Sequence, residues 1–201
     1  GYLLMTNGQQ TANAGGPQNT VAVSGDGSTV AMKQSVGTGY VNIFHNANNT
    51  LTHNNSVDVI APNFNPPGGS AQFGSSIALS TDGLSIVIGS YQHNRFERWT
   101  RTGPTVAWTY ASYPAGTTDL AYSTNHTVIG YTNMLALSGD GNRFAHIDMD
   151  PNGTGGFKLA DMSLAAELFK DTGGFGDGTS WYSFANDNWY VRPSIAVSRD
   201  G

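Results

Sequence analysis

Cysteine is absent from the 201 residues, which removes disulfide frameworks and thiolate chemistry together. Charge is scarce: Asp, Glu, Lys and Arg make up 11% of the chain, against about 25% in an ordinary soluble domain. Only 9 residues are Lys or Arg and the net charge is −5, so neither nucleic-acid binding nor a polybasic membrane contact is expected. No apolar run reaches the length of a membrane-spanning helix, so no membrane insertion is expected. No serine nucleophile motif is present, and no glycine-rich phosphate loop opens a helix. The five histidines, His45, His53, His93, His126 and His146, show no metal spacing to one another. The polar share is instead made of amides, hydroxyls and 26 glycines, which gives a neutral surface.

What is present is a repeat. Val21-Ala22-Val23-Ser24-Gly25-Asp26-Gly27 returns as Ile77-Ala78-Leu79-Ser80-Thr81-Asp82-Gly83. It returns again as Leu135-Ala136-Leu137-Ser138-Gly139-Asp140-Gly141 and as Ile195-Ala196-Val197-Ser198-Arg199-Asp200-Gly201. The Asp positions lie 56, 58 and 60 residues apart, and self-similarity at a near-constant period marks a repeat architecture. An apolar strand, then Asp-Gly, then a second apolar strand is a hairpin signal. Gly supplies positive φ, while Asp and the Ser before it can bond turn backbone. The expected loop is two or three residues long. The structural turn residues are therefore Asp26, Gly27, Asp82, Gly83, Asp140, Gly141, Asp200 and Gly201. Ala at the motif centre lies on the strand face opposite its large neighbours, where a small residue suits close approach of another layer. Ile86-Val87-Ile88 is apolar on both faces, as in a strand covered on both sides.

The second repeat shows four strands most clearly, at about 75–80, 84–90, 95–101 and 106–111. Four strands in about 58 residues is a propeller blade in size and order. In the first repeat the strands are about 20–24, 28–33 and 40–45, with a poorer fourth within 51–60. In the third they are 133–138 and 142–148. Residues 157–170 have partial helical spacing, and the repeat places the third and fourth strands there. The opening Gly1-Tyr2-Leu3-Leu4-Met5-Thr6 resembles Gly39-Tyr40-Val41-Asn42-Ile43-Phe44. The expected organisation is one all-β, partial β-propeller region over 1–201: 1–18 the end of a preceding blade, 19–70, 71–130 and 131–190 three blades, and 191–201 the first strand of a further one. Additional blades outside the 201 residues are expected on this reading.

Phe73-Gly74-Ser75-Ser76-Ile77-Ala78-Leu79-Ser80-Thr81-Asp82-Gly83, followed by Ile86-Val87-Ile88-Gly89, resembles an FG-GAP-type repeat. The Ser-x-Asp-Gly hairpin is similar also to WD40-like and TolB-like propeller repeats. The FG-GAP resemblance implies a β-propeller on an extracellular or surface protein used in adhesion and binding. That family's calcium loops are not carried over, because the loop between the inner strands is too short here.

Four groups of residues could carry function. Asp148, Asp150 and Asn152 match the opening of a calcium loop, with oxygen ligands at alternate positions; Leu159 stands where the closing acid would be. That makes calcium the one cofactor considered, and no other is expected. Arg98 and Trp99, within the run Arg95 to Arg101, are ligand candidates, since interleaved cations and aromatics can hold a sugar or an acidic partner. The competing reading of that run is a solvated outer strand with local ion pairs around Glu97. Asn48, Asn54, Asn125 and Asn152 each begin an Asn-x-Ser/Thr sequon and are glycosylation candidates. No catalytic residues are assigned. The expected function is a non-enzymatic extracellular or cell-surface propeller, a binding or adhesion module or a structural subunit of a surface assembly, with a protein or glycan partner. A propeller enzyme acting on glycans through paired carboxylates and an intracellular WD40-like scaffold are the alternatives.

Overall fold

A computed structural model describes residues 4–5, 20–33, 39–63, 73–90, 95–111, 135–149, 155–161, 166–170 and 197. The described residues form fourteen strands in three sheets. The first sheet holds β1 (Leu4–Met5), β2 (Val21–Val23), β3 (Thr29–Lys33), β4 (Val41–Ala47), β5 (Thr50–Thr52) and β6 (Val59–Ile60). The second runs β7 (Phe73–Leu79), β8 (Ser85–Ser90), β9 (Arg95–Thr100) and β10 (Thr109–Tyr110), and the third β11 (Leu135–Leu137), β12 (Arg143–Met149), β13 (Gly155–Asp161) and β14 (Ala166–Lys170). In the second and third sheets sequence order is spatial order, an antiparallel meander of four strands. This is the up-and-down blade of a propeller.

Residues 157–170 are strand, not helix. The Ala, Leu, Glu and Lys content favours helix, but β12 offers a full ladder from Arg143↔Asp161 to Met149↔Gly155. Pairing along that whole edge overrides the propensity.

Two expectations about the first blade are corrected. β1 does not stand in a separate preceding blade. It pairs in parallel with β5, Leu4 opposite Thr50 and Met5 opposite Leu51, on the outer edge of the first sheet. The fourth strand is also split in two. β5 folds back on β4 through Asn48 and Asn49, both at positive φ (53° and 62°), while β6 pairs with the other end of β4. Two successive left-handed residues between paired Ala47 and Thr50 make a two-residue hairpin turn whose twist suits the flanking strands, and Asn tolerates that region.

The repeated hairpins are wider than two or three residues: β2 ends at Val23 and β3 begins at Thr29. Gly27, at φ +73°, donates its N–H to the Ser24 carbonyl. The Thr29 N–H goes to Ser24 Oγ, a side-chain acceptor, at 2.9 Å. Ser24 Oγ donates in turn to Asp26 Oδ1 at 2.6 Å, and Asp26 Oδ1 also accepts from Ser28 N at 2.9 Å. Ser80, Asp82, Leu84 and Ser85 repeat this relay, as do Ser138, Asp140, Asn142 and Arg143. Ser and Asp recur together because each satisfies a donor that the turn would otherwise strand. The fourth copy, with Asp200 and Gly201, lies outside the described residues. Asp82→Ala should lower stability by about 0.5–2 kcal/mol, as loss of a capping side chain does, measured by denaturant unfolding. A neutral result would mean that solvent replaces the carboxylate at no cost.

The blades stack through their apolar faces. Ala31, Val41, Ile43 and Ile60 of the first pack with Phe73, Ile77, Leu79, Ile86, Ile88 and Trp108 of the second, with Ala22 against the same cluster. Val87 and Phe96 of the second pack with Leu135, Leu137 and Phe144 of the third, with Ala78 against them. The motif therefore has two working faces: its large pair meets the blade before and its Ala meets the blade after. Ile86, Val87 and Ile88 are each fully buried because both faces of β8 are covered.

Candidate functional site

The chemistry-bearing side chains of the described residues gather between the first and second blades. Arg101, just past the end of β9, is buried, and its guanidinium reaches across the interface. Nη2 donates to Thr29 Oγ1 of the first blade and to the Gly83 carbonyl, both at 3.1 Å, and Nη1 donates to the Pro104 carbonyl at 3.2 Å. Its guanidinium carbon lies 4.5 Å from the centre of the Trp108 ring, a cation–π contact made in a dry setting. Nη1 lies 3.9 Å from Asp58 Oδ1 and 3.4 Å from His45 Nε2.

Asp58 is held tightly by its own blade. His45 Nε2 is 2.8 Å from Asp58 Oδ1, and Asp58 Oδ2 accepts from Asn54 N at 2.8 Å. A carboxylate oxygen only accepts, so the shorter contact places the ring proton on Nε2, and Arg101 then sits beside the ring rather than bonded to it. Asp58 also closes the 53–58 loop, whose Asp58 carbonyl accepts from Ile43 N in β4. Burial pulls the Arg101 pKa down, and the charges of Asp58 and Asp82 push it back up. The cluster can hold a fixed charge pair between blades. It does not resemble a nucleophile with its base: the hydroxyl in it, Thr29 Oγ1, accepts from a guanidinium.

A second buried acid ties the interblade link down. Glu97 is 1% exposed. Both its oxygens accept from Asn63 N at 3.0 Å, and Trp99 Nε1 donates to Oε2 at 3.0 Å. Asn63 follows β6 on the path from the first blade to the second, so Glu97 pins the crossover to β9.

These positions correct the outer-strand reading of Arg95 to Arg101. Phe96, Glu97 and Arg101 are buried, and Arg98 and Trp99 are half-buried. Trp99 gives its ring edge to Tyr110 (centroids 5.5 Å apart, 70° between planes) and its N–H to Glu97. Phe96, on the opposite face, meets Phe144 of the third blade edge-on at 5.8 Å. Alternation along β9 thus sends Glu97 and Trp99 toward the first blade and Phe96 toward the third.

Asp148 sits in β12 with its backbone opposite Gly156, and Leu159 lies opposite Ala145. Met149 pairs with Gly155, so both ends of the run Asp148 to Leu159 lie in paired strands. Asp150 and Asn152 themselves lie outside the described residues, as does Asn125. Among the described residues no group of three or more His, Asp or Glu lies close enough to hold a metal ion. Asn48 is exposed in the β4–β5 turn. Asn54 is exposed too, and its Oδ1 accepts from Ser56 N at 3.0 Å within its own sequon.

The turn hydrogen bonds favour the ionised form of Asp26 and of Asp140. Desolvation opposes ionisation of Asp26, but the hydrogen bonds from Ser24 and Ser28 outweigh it and hold its carboxyl below the usual range. The Ser138 hydroxyl and the Asn142 N–H do the same for Asp140. A carboxyl depressed in the folded state contributes stability above its unfolded pKa and loses it as pH falls through the folded one. The melting temperature should therefore fall below the ordinary carboxylate range, and Asp140→Asn should show a smaller fall. An identical acid response in parent and Asp140→Asn would show that the turn carboxylate is not the titrating group.

Scans against protein-family models and against curated protein sequences gave no match. Among solved structures, a functionally unknown protein from Desulfotomaculum acetoxidans DSM 771 aligns at 13% identity and TM-score 0.48, over 78% of this chain and 43% of that one. The Cps50 (Swd1) β-propeller domain of Myceliophteria thermophila aligns at 9% identity and TM-score 0.48, over 77% and 41%. The WD40 repeats of RRP9 align at 14% and 0.47, over 78% and 39%. The chain thus spans about two fifths of the length of these structures. The architecture itself, all-β with four-stranded propeller blades repeating at near 58 residues, stands on the chain's own sheets and their stacking.

Proposed function

We propose that the chain is a non-enzymatic propeller region of an extracellular or cell-surface protein, acting as a binding module or a structural subunit with a protein or glycan partner. The observation that carries this is where the reactive side chains go. Arg101, Asp58 and His45 join two blades, and Glu97 and Trp99 fasten the link between them. Side chains committed to each other in this way stabilise a scaffold and leave recognition to loops and outer strands.

We read the repeat as FG-GAP in type, and Phe73 and Gly74 support that reading. Phe73 is fully buried in the first interblade core. Gly74 stands at φ +82° beside a register shift, where a Cβ would come within 3.0 Å of Val41 Cγ2. The dipeptide therefore has a packing role at the entry to the inner strand. A surface location is supported by two sequons on exposed turns, at Asn48 and Asn54.

The test is twofold. Secreted from a eukaryotic host, the protein should carry glycan at Asn48, seen as a mass increment lost in Asn48→Gln. Incubated with a panel of neutral glycans, it should show binding or nothing, but no hydrolysis. Turnover above background that disappears in Asp58→Asn or Glu97→Gln would establish the enzyme reading instead.

A further inference from the structure

The two blade junctions bury matching side chains but are tied in different ways. Ile77 and Leu79, packed against the first blade, are 8% and 9% exposed. Their counterparts Leu135 and Leu137, packed against the second, are 6% and 8% exposed. A bond between turns also recurs: Asp26 N donates to the Thr81 carbonyl, and Thr81 N to the Gly139 carbonyl. The first junction adds two polar locks, Arg101 on Thr29 and Glu97 on Asn63.

The residue types at the matching positions forbid both locks at the second junction. Arg101 follows β9, which ends at Thr100, and the residue that follows β13 is Met162. A methionine side chain has no N–H or O–H to donate. Ser85 holds the place of Thr29, since the backbone amides of the two donate to the motif serines Ser80 and Ser24. Ser85 is 7% exposed, and its Oγ is buried with no hydrogen-bond partner. A buried hydroxyl left unmet costs stability instead of adding it. Glu97 lies opposite Ile88, which lies opposite Ile77. The same two steps from Leu135 lead through His146 to Lys158. An ammonium cannot accept a backbone N–H as the Glu97 carboxylate does.

We propose that the junction between the second and third blades is a built-in joint, at which the third blade opens away from the second while the first and second stay locked. Opening there uncovers one apolar face, with Val87 and Phe96 on one side and Leu135, Leu137 and Phe144 on the other. It breaks the turn bond from Thr81 to Gly139 and the edge-on contact of Phe96 with Phe144. It leaves the Arg101 and Glu97 locks whole, and it gives Ser85 Oγ a partner in water, which offsets part of the apolar loss. The proposal does not depend on the surface role, since it concerns only how the blades are held.

The absence of cysteine makes the test clean. Leu79→Cys reads the first junction and Leu137→Cys the second, from the same motif position. Ala22→Cys and Ala78→Cys read the same two junctions through a smaller change. Each variant is reacted with a maleimide under native conditions, well below its melting transition. The Leu137→Cys thiol should react at least about tenfold faster than the Leu79→Cys thiol, since protection follows the rarity of local opening. The Ala pair should show the same order, and it decides the matter if either Leu variant fails to melt cooperatively. Adding Arg101→Met, which gives the first lock the residue type found at the second, should speed the Leu79→Cys reaction and leave that of Leu137→Cys unchanged. Equal rates at the two junctions, or a faster reaction at the first, would overturn the proposal. A Leu79→Cys rate that Arg101→Met does not move in the folded protein would overturn it equally.

Discussion

Arg101→Ala should lower stability by about 3–5 kcal/mol, the range for removing one partner from a buried charge cluster. The loss has several parts. Thr29 Oγ1 and the Gly83 carbonyl lose their donor, Trp108 loses the cation on its ring, and the buried Asp58 carboxylate loses the guanidinium beside it. Arg101→Lys should recover only part, because a single ammonium cannot reach Thr29, Gly83 and Pro104 from one planar group. Urea unfolding gives the comparison. A change under 1 kcal/mol in Arg101→Ala would show that water replaces the guanidinium, and that the blades are joined by their apolar faces alone.

Gly83→Ala should be nearly as severe, at about 2–5 kcal/mol. Positive φ costs a side chain about 1–2 kcal/mol, and forcing a methyl into a filled interface about 1–3 more. Gly27→Ala is the matched control. Its φ is +73° against +65° for Gly83, but a Cβ there meets nothing within 4 Å while one on Gly83 strikes Thr29. In the described contacts Gly27→Ala therefore carries the backbone penalty alone, about 1–2 kcal/mol. The difference between the two reads the closeness of the first two blades. Equal losses would mean that Thr29 moves aside freely.

The repeat was legible because it has to be. The turn relay needs Ser, Asp and Gly at fixed spacing, and interblade contact needs Ala between two large residues, so the motif recurs wherever a blade begins. Asp148 and Asp150 are ambiguous in sequence, because oxygen ligands at alternate positions are also what a polar hairpin looks like. The Arg95–Arg101 run misled for a related reason. Its alternation was readable, and it does send Glu97 and Trp99 one way and Phe96 the other. Which face was dry could not be read, because dryness depends on a neighbouring blade, reached from Glu97 through Asn63, 34 residues away in sequence. The joining of Arg101 to Thr29, 72 residues apart, left no local signal at all. A lone Arg at the end of a strand is a weak hint. Its burial is set by three elements of two blades that meet only in the fold. The split of the fourth strand into β5 and β6 was hidden likewise, since Asn48-Asn49 reads as a sequon before it reads as a turn.

The central claim is that the reactive side chains are spent on joining blades. A double-mutant cycle on Arg101→Met and Asp58→Asn tests it most directly, because the two residues belong to different blades and lie 3.9 Å apart. Residues in one buried network couple by about 0.5–3 kcal/mol, while independent sites add to within about 0.5 kcal/mol. The predicted result is a coupling above 1 kcal/mol, with each single substitution destabilising and any partner binding per folded molecule unchanged. Additive losses, or binding abolished in a fully folded Asp58→Asn protein, would contradict it.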